Sequence, residues 1–112
     1  MRPDDAIRIR HMIEAAQTAQ RFVEGRRCAD LDTDKMLLFA VVQAIQIIGE
    51  AASRISSETR TTTPLVPWAR ITGMRNRLVH AYDEINHEVV WQTATEEIPA
   101  LLPLLNPLLP AD

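Results

Sequence analysis

The chain has 112 residues, 46% of them hydrophobic and 24% charged, with a formal charge of −3. That length supports one domain with its own core, spanning residues 1–112, and the acidic total excludes a protein that coats nucleic acid by charge alone. Three glycines and 4% aromatics supply too few turn and strand formers for a β-sandwich or barrel, so the expected class is all-α.

The first expected helix runs from Pro3 to Gly25. Pro3 suits a first turn, and Asp4 and Asp5 favour the positive end of the helix dipole. Ile9, Met12, Ala16, Ala19 and Val23 recur on one face, and Gly25 is a natural stop. "RRCADLD" then reads as a loop. Its single cysteine, Cys28, permits neither an internal disulfide nor a cysteine-built metal site. Residues 1–14 are studded with charge, unlike a secretory leader. Together these predict a cytoplasmic protein.

The second expected helix runs from Thr33 to Ser57, with Asp32 or Thr33 as its cap. Leu37, Ala40, Val41, Ala44, Ile48, Ala51, Ala52 and Ile55 form one stripe, while Met36, Leu38, Phe39, Val42, Ile45 and Ile47 are apolar elsewhere around it. The longest unbroken run, Met36 to Val42, is seven residues, far short of a membrane span. A helix apolar nearly all round is covered nearly all round. Either a second copy of the chain supplies part of that cover, or this is the central helix of a monomeric bundle.

"SSETRTTTPLVP" is a connector in which Pro64 and Pro67 forbid a continuous helix, though it has room for a short one. A third helix is expected from Trp68 to His80 or Tyr82, then a turn at "DEIN" with a cap near Asn86. The fourth runs from His87 towards Leu105, and Pro99 and Pro103 should kink or end it. The sum is a four- to five-helix up-and-down bundle, with the proline-punctuated tail packing back on it.

Charge is unevenly spread. Residues 1–58 are net −1, residues 59–82 carry Arg60, Arg70, Arg75 and Arg77 with no acid, and residues 83–112 are net −6. A local cationic stretch in an acidic chain points to a confined anionic ligand. Within it lies "RNRLVHAY", residues 75–82. On an ideal helix Asn76 and His80 share a face, Arg77 lies about 60° from His80, and Arg75 lies about 140° away. Arg75 and His80 can therefore meet only if the helix ends, the arginine reaches round, or two copies face each other. Gly73 costs helix stability and suggests the close approach of another backbone.

Histidine can give or take a proton near neutrality. Arginine can hold a phosphate and stay charged while negative charge builds. Such a set fits RNA scission through the 2′-OH, which needs no metal. Against this, a histidine near a helix end can simply cap it, and Arg75 and Arg77 can be solvated charges. His11 and His87 read as surface helix residues without a role, and no local histidine pair has zinc-ligand spacing. Glu50, in "IGEAA", either partners one of the arginines or reaches solvent.

"PWARITGMRNRLVHAYDEINHEVVW" (residues 67–91), with "IQIIGEAASRIS" upstream and "EEIPALLPLL" downstream, resembles the HepT-like proteins of the HEPN superfamily. The arginine, four-residue spacer and histidine of that family fall on Arg75 and His80, and its following tyrosine on Tyr82; Asn76 follows the arginine. The resemblance implies a homodimeric helical bundle and a metal-independent ribonuclease toxin with Arg75 and His80 in a cleft between subunits. It also implies an antitoxin partner, a minimal nucleotidyltransferase that transfers AMP to Tyr82. Asn76 and Arg77 are candidate contacts to RNA phosphate, no metal or cofactor is expected, and no membrane is involved. The competing expectation is a non-catalytic helical module that binds a nucleotide or docks a partner through the same patch.

Overall fold

A computed structural model describes residues 1–78 and 84–110. Helix α1 (Pro3–Val23) lies antiparallel to α3 (Lys35–Ser53), because Asp5 and Arg8 near the start of α1 meet Ser56 and Arg54 at the end of α3. These two helices form the main packing pair. Ile9, Met12, Ala16 and Ala19 of α1 and Val41, Ile48 and Ala52 of α3 are fully buried, so the predicted apolar faces are core faces, and Leu38 and Ile45, outside the predicted stripe, are buried too. Between them, "RRCADLD" is more than a loop. It holds a one-turn helix α2 (Asp30–Thr33) that buries Leu31. The cap of α3 is Asp34, one residue beyond the expected pair; its Oδ1 accepts from the Leu37 N–H at 3.0 Å.

Helix α3 is long and apolar enough, by length and composition, to cross a membrane, which its broken apolar run did not suggest. Here it is the central core helix, packed by α1, α2, α5 and α6. Cover is missing along one stripe, where Met36, Phe39 and Ile47 are exposed. Beyond α3, the connector forms α4 (Ser57–Thr62), started by Ser56, whose Oγ accepts from the Thr59 N–H.

A buried carboxylate ties the two ends of this unit together. Asp5, 2% exposed, accepts from the Ser56 N–H at 3.0 Å, the Ser56 hydroxyl at 2.6 Å and the Thr59 hydroxyl at 2.6 Å. Burial pushes its carboxyl up, but these hydrogen bonds outweigh that and hold it below the ordinary aspartate value.

The expected third helix is broken. α5 covers only Trp68–Thr72, and Met74–Leu78 is a 3-10 helix. Leu78, Met74 and Ile71 are buried in the core, while the intervening Arg75 and Arg77 are at least partly exposed. The predicted cap at Asn86 holds: its Oδ1 accepts from the Glu88 and Val89 N–H groups and opens α6 (His87–Gln92).

The prolines do not end the last rod. α6 widens into a π-helical turn (Thr93–Glu97) and continues as α7 (Ile98–Leu105), with Pro103 inside it. Two threonine hydroxyls brace the wide turn, Thr93 Oγ1 donating to the Val89 carbonyl and Thr95 Oγ1 to the Trp91 carbonyl, each at 2.7 Å. An interior proline costs about 3 kcal/mol. Ile98, Leu101 and Leu105 are buried around it, each contributing roughly 1.5–3 kcal/mol, so packing outweighs the lost hydrogen bond. The tail turns as a 3-10 helix (Asn106–Leu108), and Leu108 and Leu109 pack partly against the core.

Candidate functional site

The four arginines of the basic stretch do not form one patch. Arg60 closes the end of α3, donating Nε to the Ile55 carbonyl at 3.1 Å and Nη2 to the Ala52 carbonyl at 2.8 Å. Arg70 donates Nε to Glu97 at 2.7 Å. Arg77 donates Nη1 to the Arg70 carbonyl at 3.1 Å and Nη2 to Glu97 at 3.3 Å. Arg75 goes elsewhere: its Nη1 lies 3.1 Å from Glu50 Oε1 on α3, with both side chains 49% exposed. Each arginine satisfied its own nearest acceptor, which local composition cannot foretell.

The π turn explains one half of this arrangement. It presents Glu97 to the 3-10 segment, where one carboxylate joins Arg70, Arg77 and, through Oε2, the Thr93 hydroxyl at 3.3 Å. The other half lies beside Gly49. A Cβ built there would lie 3.5 Å from the Ile71 carbonyl oxygen and 3.7 Å from that of Thr72. The end of α5 therefore sits in ordinary van der Waals contact with α3 beside Gly49, and Glu50, the next residue, meets Arg75. Gly73 was the glycine expected to mark a close approach. It caps α5 with φ −83°, a conformation open to any residue, and a Cβ there would meet only its own segment at ordinary distances.

Arg75 and Glu50 stand at one end of a groove of about 570 Å³ between α1 and α3, lined also by Arg8, His11, Gln46 and Arg54. His11, given no role by its surroundings in the sequence, thus shares a groove with the motif arginine, and only the antiparallel pairing of α1 and α3 reveals it. A more apolar continuation, lined by Phe22, Ala40 and Ile47 among others, runs towards the start of α3. Asn76 is exposed beside Arg75 on the 3-10 segment. His80 and Tyr82 lie outside the described residues. His87 pairs through Nδ1 with Asp32 of α2, so it pins the start of α6. Cys28 borders that same region, and burial, with Asp32 and Glu88 nearby, pushes its thiol up.

The fold and the groove define an all-α helical domain with an arginine on an open groove. The chain belongs to the HepT-like family: residues 12–108 match the model described as "Ribonuclease HepT-like". It is 34% identical over 93 residues to a protein of Caldanaerobacter subterraneus subsp. tengcongensis named "Putative RNase", covering 83% of each chain. It is 36% identical over 88 residues to the "Probable ribonuclease HepT" of Thermococcus cleftensis, covering 79% of this chain and 80% of the relative. A "Putative RNase" of Methanocaldococcus jannaschii is 32% identical over 90 residues, with 80% and 83% covered. No solved structure matches the chain.

Proposed function

We propose that this protein is a metal-independent endoribonuclease that acts as the toxin of a toxin–antitoxin pair in the cytoplasm. The observation that carries the reading is the family match over residues 12–108, which takes in the whole of "RNRLVHAY". The exposed guanidinium of Arg75 on the groove supports it.

The chemistry requires three things of the site. A base removes the 2′-OH proton, the oxygen attacks the adjacent phosphorus, and an acid protonates the departing 5′-oxygen. The P–O2′ bond forms as the P–O5′ bond breaks, giving a 2′,3′-cyclic phosphate and a 5′-hydroxyl, with no water or metal consumed. His80 serves as base, and its counterpart in a second copy as acid. Arg75 stabilises the charge that gathers on the phosphoryl oxygens, with Asn76 and Arg77 as contacts to the RNA backbone; Arg77 would then have to serve from its tie to Glu97.

Two-fold pairing is part of this reading. Met36, Phe39, Ala40, Gln43, Ile47, Glu50 and Arg54 fall on one face of α3 at 100° per residue. The exposed members Met36, Phe39 and Ile47, with Ile7 of α1, form an apolar strip that leads directly to the Arg75 end of the groove. A second copy seated on that strip would turn the groove into the wall of a shared cleft.

The antitoxin is a minimal nucleotidyltransferase that transfers AMP to the Tyr82 hydroxyl from ATP, releasing pyrophosphate. An added anion two residues from His80 would compete with RNA for the arginines. His80→Ala should abolish RNA cleavage and growth inhibition while leaving the circular dichroism spectrum and melting temperature unchanged. Undiminished cleavage by that variant would reject the catalytic assignment and favour a non-catalytic docking module. AMP mass found only on peptides lacking Tyr82, after incubation with the partner and ATP, would reject the modification site. Analytical ultracentrifugation that finds a lone subunit at micromolar concentration would remove the shared cleft.

A further inference from the structure

The groove beside Arg75 holds more cationic capacity than the motif requires. Three arginines line it, from three different elements: Arg8 on α1, Arg54 at the end of α3 and Arg75 on the 3-10 segment; they outnumber its two acids, Asp4 and Glu50. Two of them, Arg75 and Arg54, are linked through one carboxylate, and Arg8 reaches the backbone of Arg54. Arg75 Nη1 sits 3.1 Å from Glu50 Oε1, Arg54 Nη2 sits 3.6 Å from Glu50 Oε2, and Arg8 Nη1 donates to the Arg54 carbonyl at 3.3 Å. Glu50 therefore carries a guanidinium on each oxygen, as a phosphate oxyanion would between the same two groups.

These are weak ties. Arg54 is 66% exposed and Glu50 49%, and pairs so open to water hold by at most about 1 kcal/mol. A phosphodiester that enters the groove can displace the carboxylate at little cost and take a planar arginine fork in exchange. The −3 chain repels a polyanion at long range, so binding must come from such close contacts. The neutral donors that line the same wall, Gln43 and Gln46, suit a sugar–phosphate backbone rather than an isolated anion.

We infer that Arg54 and Arg8 form a second phosphate subsite for the RNA strand, beside the one Arg75 serves, and that Glu50 is its internal stand-in, holding the arginines oriented until RNA replaces it. The identity of the polyanion as RNA rests on the ribonuclease reading; the subsite itself rests on the groove.

The test uses the full chain carrying His80→Ala, so that a fluorescein-labelled single-stranded RNA is bound but not cut. Anisotropy titrations across a salt series give Kd and its salt slope. Arg54→Gln should weaken binding about ten-fold, the loss of one charge-assisted hydrogen bond, and flatten the slope by about 0.7. Arg8→Gln should act in the same direction. Arg27→Gln makes the same change of charge outside the groove and should leave both quantities unchanged. Glu50→Gln should tighten binding several-fold, the opposite of what a merely structural role would give. Equal Kd and slope for the Arg54 and Arg27 variants, or no measurable binding by the His80→Ala chain, overturns the subsite. Cleavage by the chain with His80 intact is measured separately: a protein that binds RNA in this arginine-dependent way but never cuts it retains the subsite and loses the ribonuclease reading.

Discussion

Two glutamates in this molecule each gather two arginines, and they do so in opposite surroundings. Glu97 joins Arg70 and Arg77 with its side chain 23% exposed, whereas Glu50 joins Arg75 and Arg54 with its side chain 49% exposed. The first cluster connects elements: α5, the 3-10 segment and the π turn meet at it, and a threonine hydroxyl completes it. The second lies along the rim of an open groove. The same residue types thus do two jobs. Covered and multiply bonded, they hold the motif segment in place; exposed, they form two open ion pairs at the groove rim. Partial exposure keeps the Glu50 pairs weak, since water already competes for them.

The fully buried limit of the comparison is Asp5, whose three hydrogen bonds hold α1 to the start of α4. Asp5→Ala leaves Ser56 and Thr59 without their acceptor and should cost about 2–4 kcal/mol, read as a large fall in the denaturation midpoint. The same carboxylate makes stability pH-dependent. Its folded value lies below the ordinary 3.8, so its contribution is fully present above 3.8 and is lost as pH falls through the lowered value. Acid titration of the parent chain should show extra destabilisation in that range, and Asp5→Asn should remove it. A flat difference between the two curves would mean that the carboxylate is not held as described.

Glu97→Ala comes next, at roughly 1–3 kcal/mol for a partly covered, hydrogen-bonded charge. Its two arginines lose their common acceptor, so Arg77→Ala in the Glu97→Ala background should cost less than Arg77→Ala alone. Strict additivity of the two substitutions would show that the pair holds nothing together. Because the cluster fixes the segment that carries Arg75, cleavage should fall with it, by a drop in kcat rather than by weaker RNA binding alone.

Much of this was legible in the sequence, and the limits have physical causes. Apolar faces at helical period marked α1 and α3, and Asn86 announced the cap of α6, because caps and core faces are local signals. The break after Thr72 was hidden, since Ile71, Met74 and Leu78 recur at the i, i+3, i+7 spacing of one continuous α-helix. The span of the last rod from His87 to Leu105 was legible, but its π turn was not, and burial of Ile98, Leu101 and Leu105 overrides the local preference of Pro103 to end it. At the site, a pairing of Glu50 with one of the arginines was one of two open readings, and which arginine it meets, Arg75, depends on how the end of α5 packs on α3. The separation of Arg60, Arg70, Arg75 and Arg77 into different clusters is likewise a matter of tertiary geometry. His80 and Tyr82, which the motif singles out, lie outside the described residues, so the reading of them rests on the sequence pattern.

The smallest expected effect on stability is also the sharpest test of the contrast between the two glutamates. Glu50→Ala should change stability by no more than about 1 kcal/mol, and the change should shrink as salt is raised, because an exposed ion pair is screened within about 10 Å at 0.1 M. Glu97→Ala should keep most of its cost in the same salt, since its carboxylate is covered and its loss strands hydrogen-bond donors as well as charges. Chemical denaturation of both variants at low and high salt separates the two cases. Equal costs with equal salt dependence would mean that burial does not distinguish the clusters, and that Glu50 is as much a fixture of the fold as Glu97.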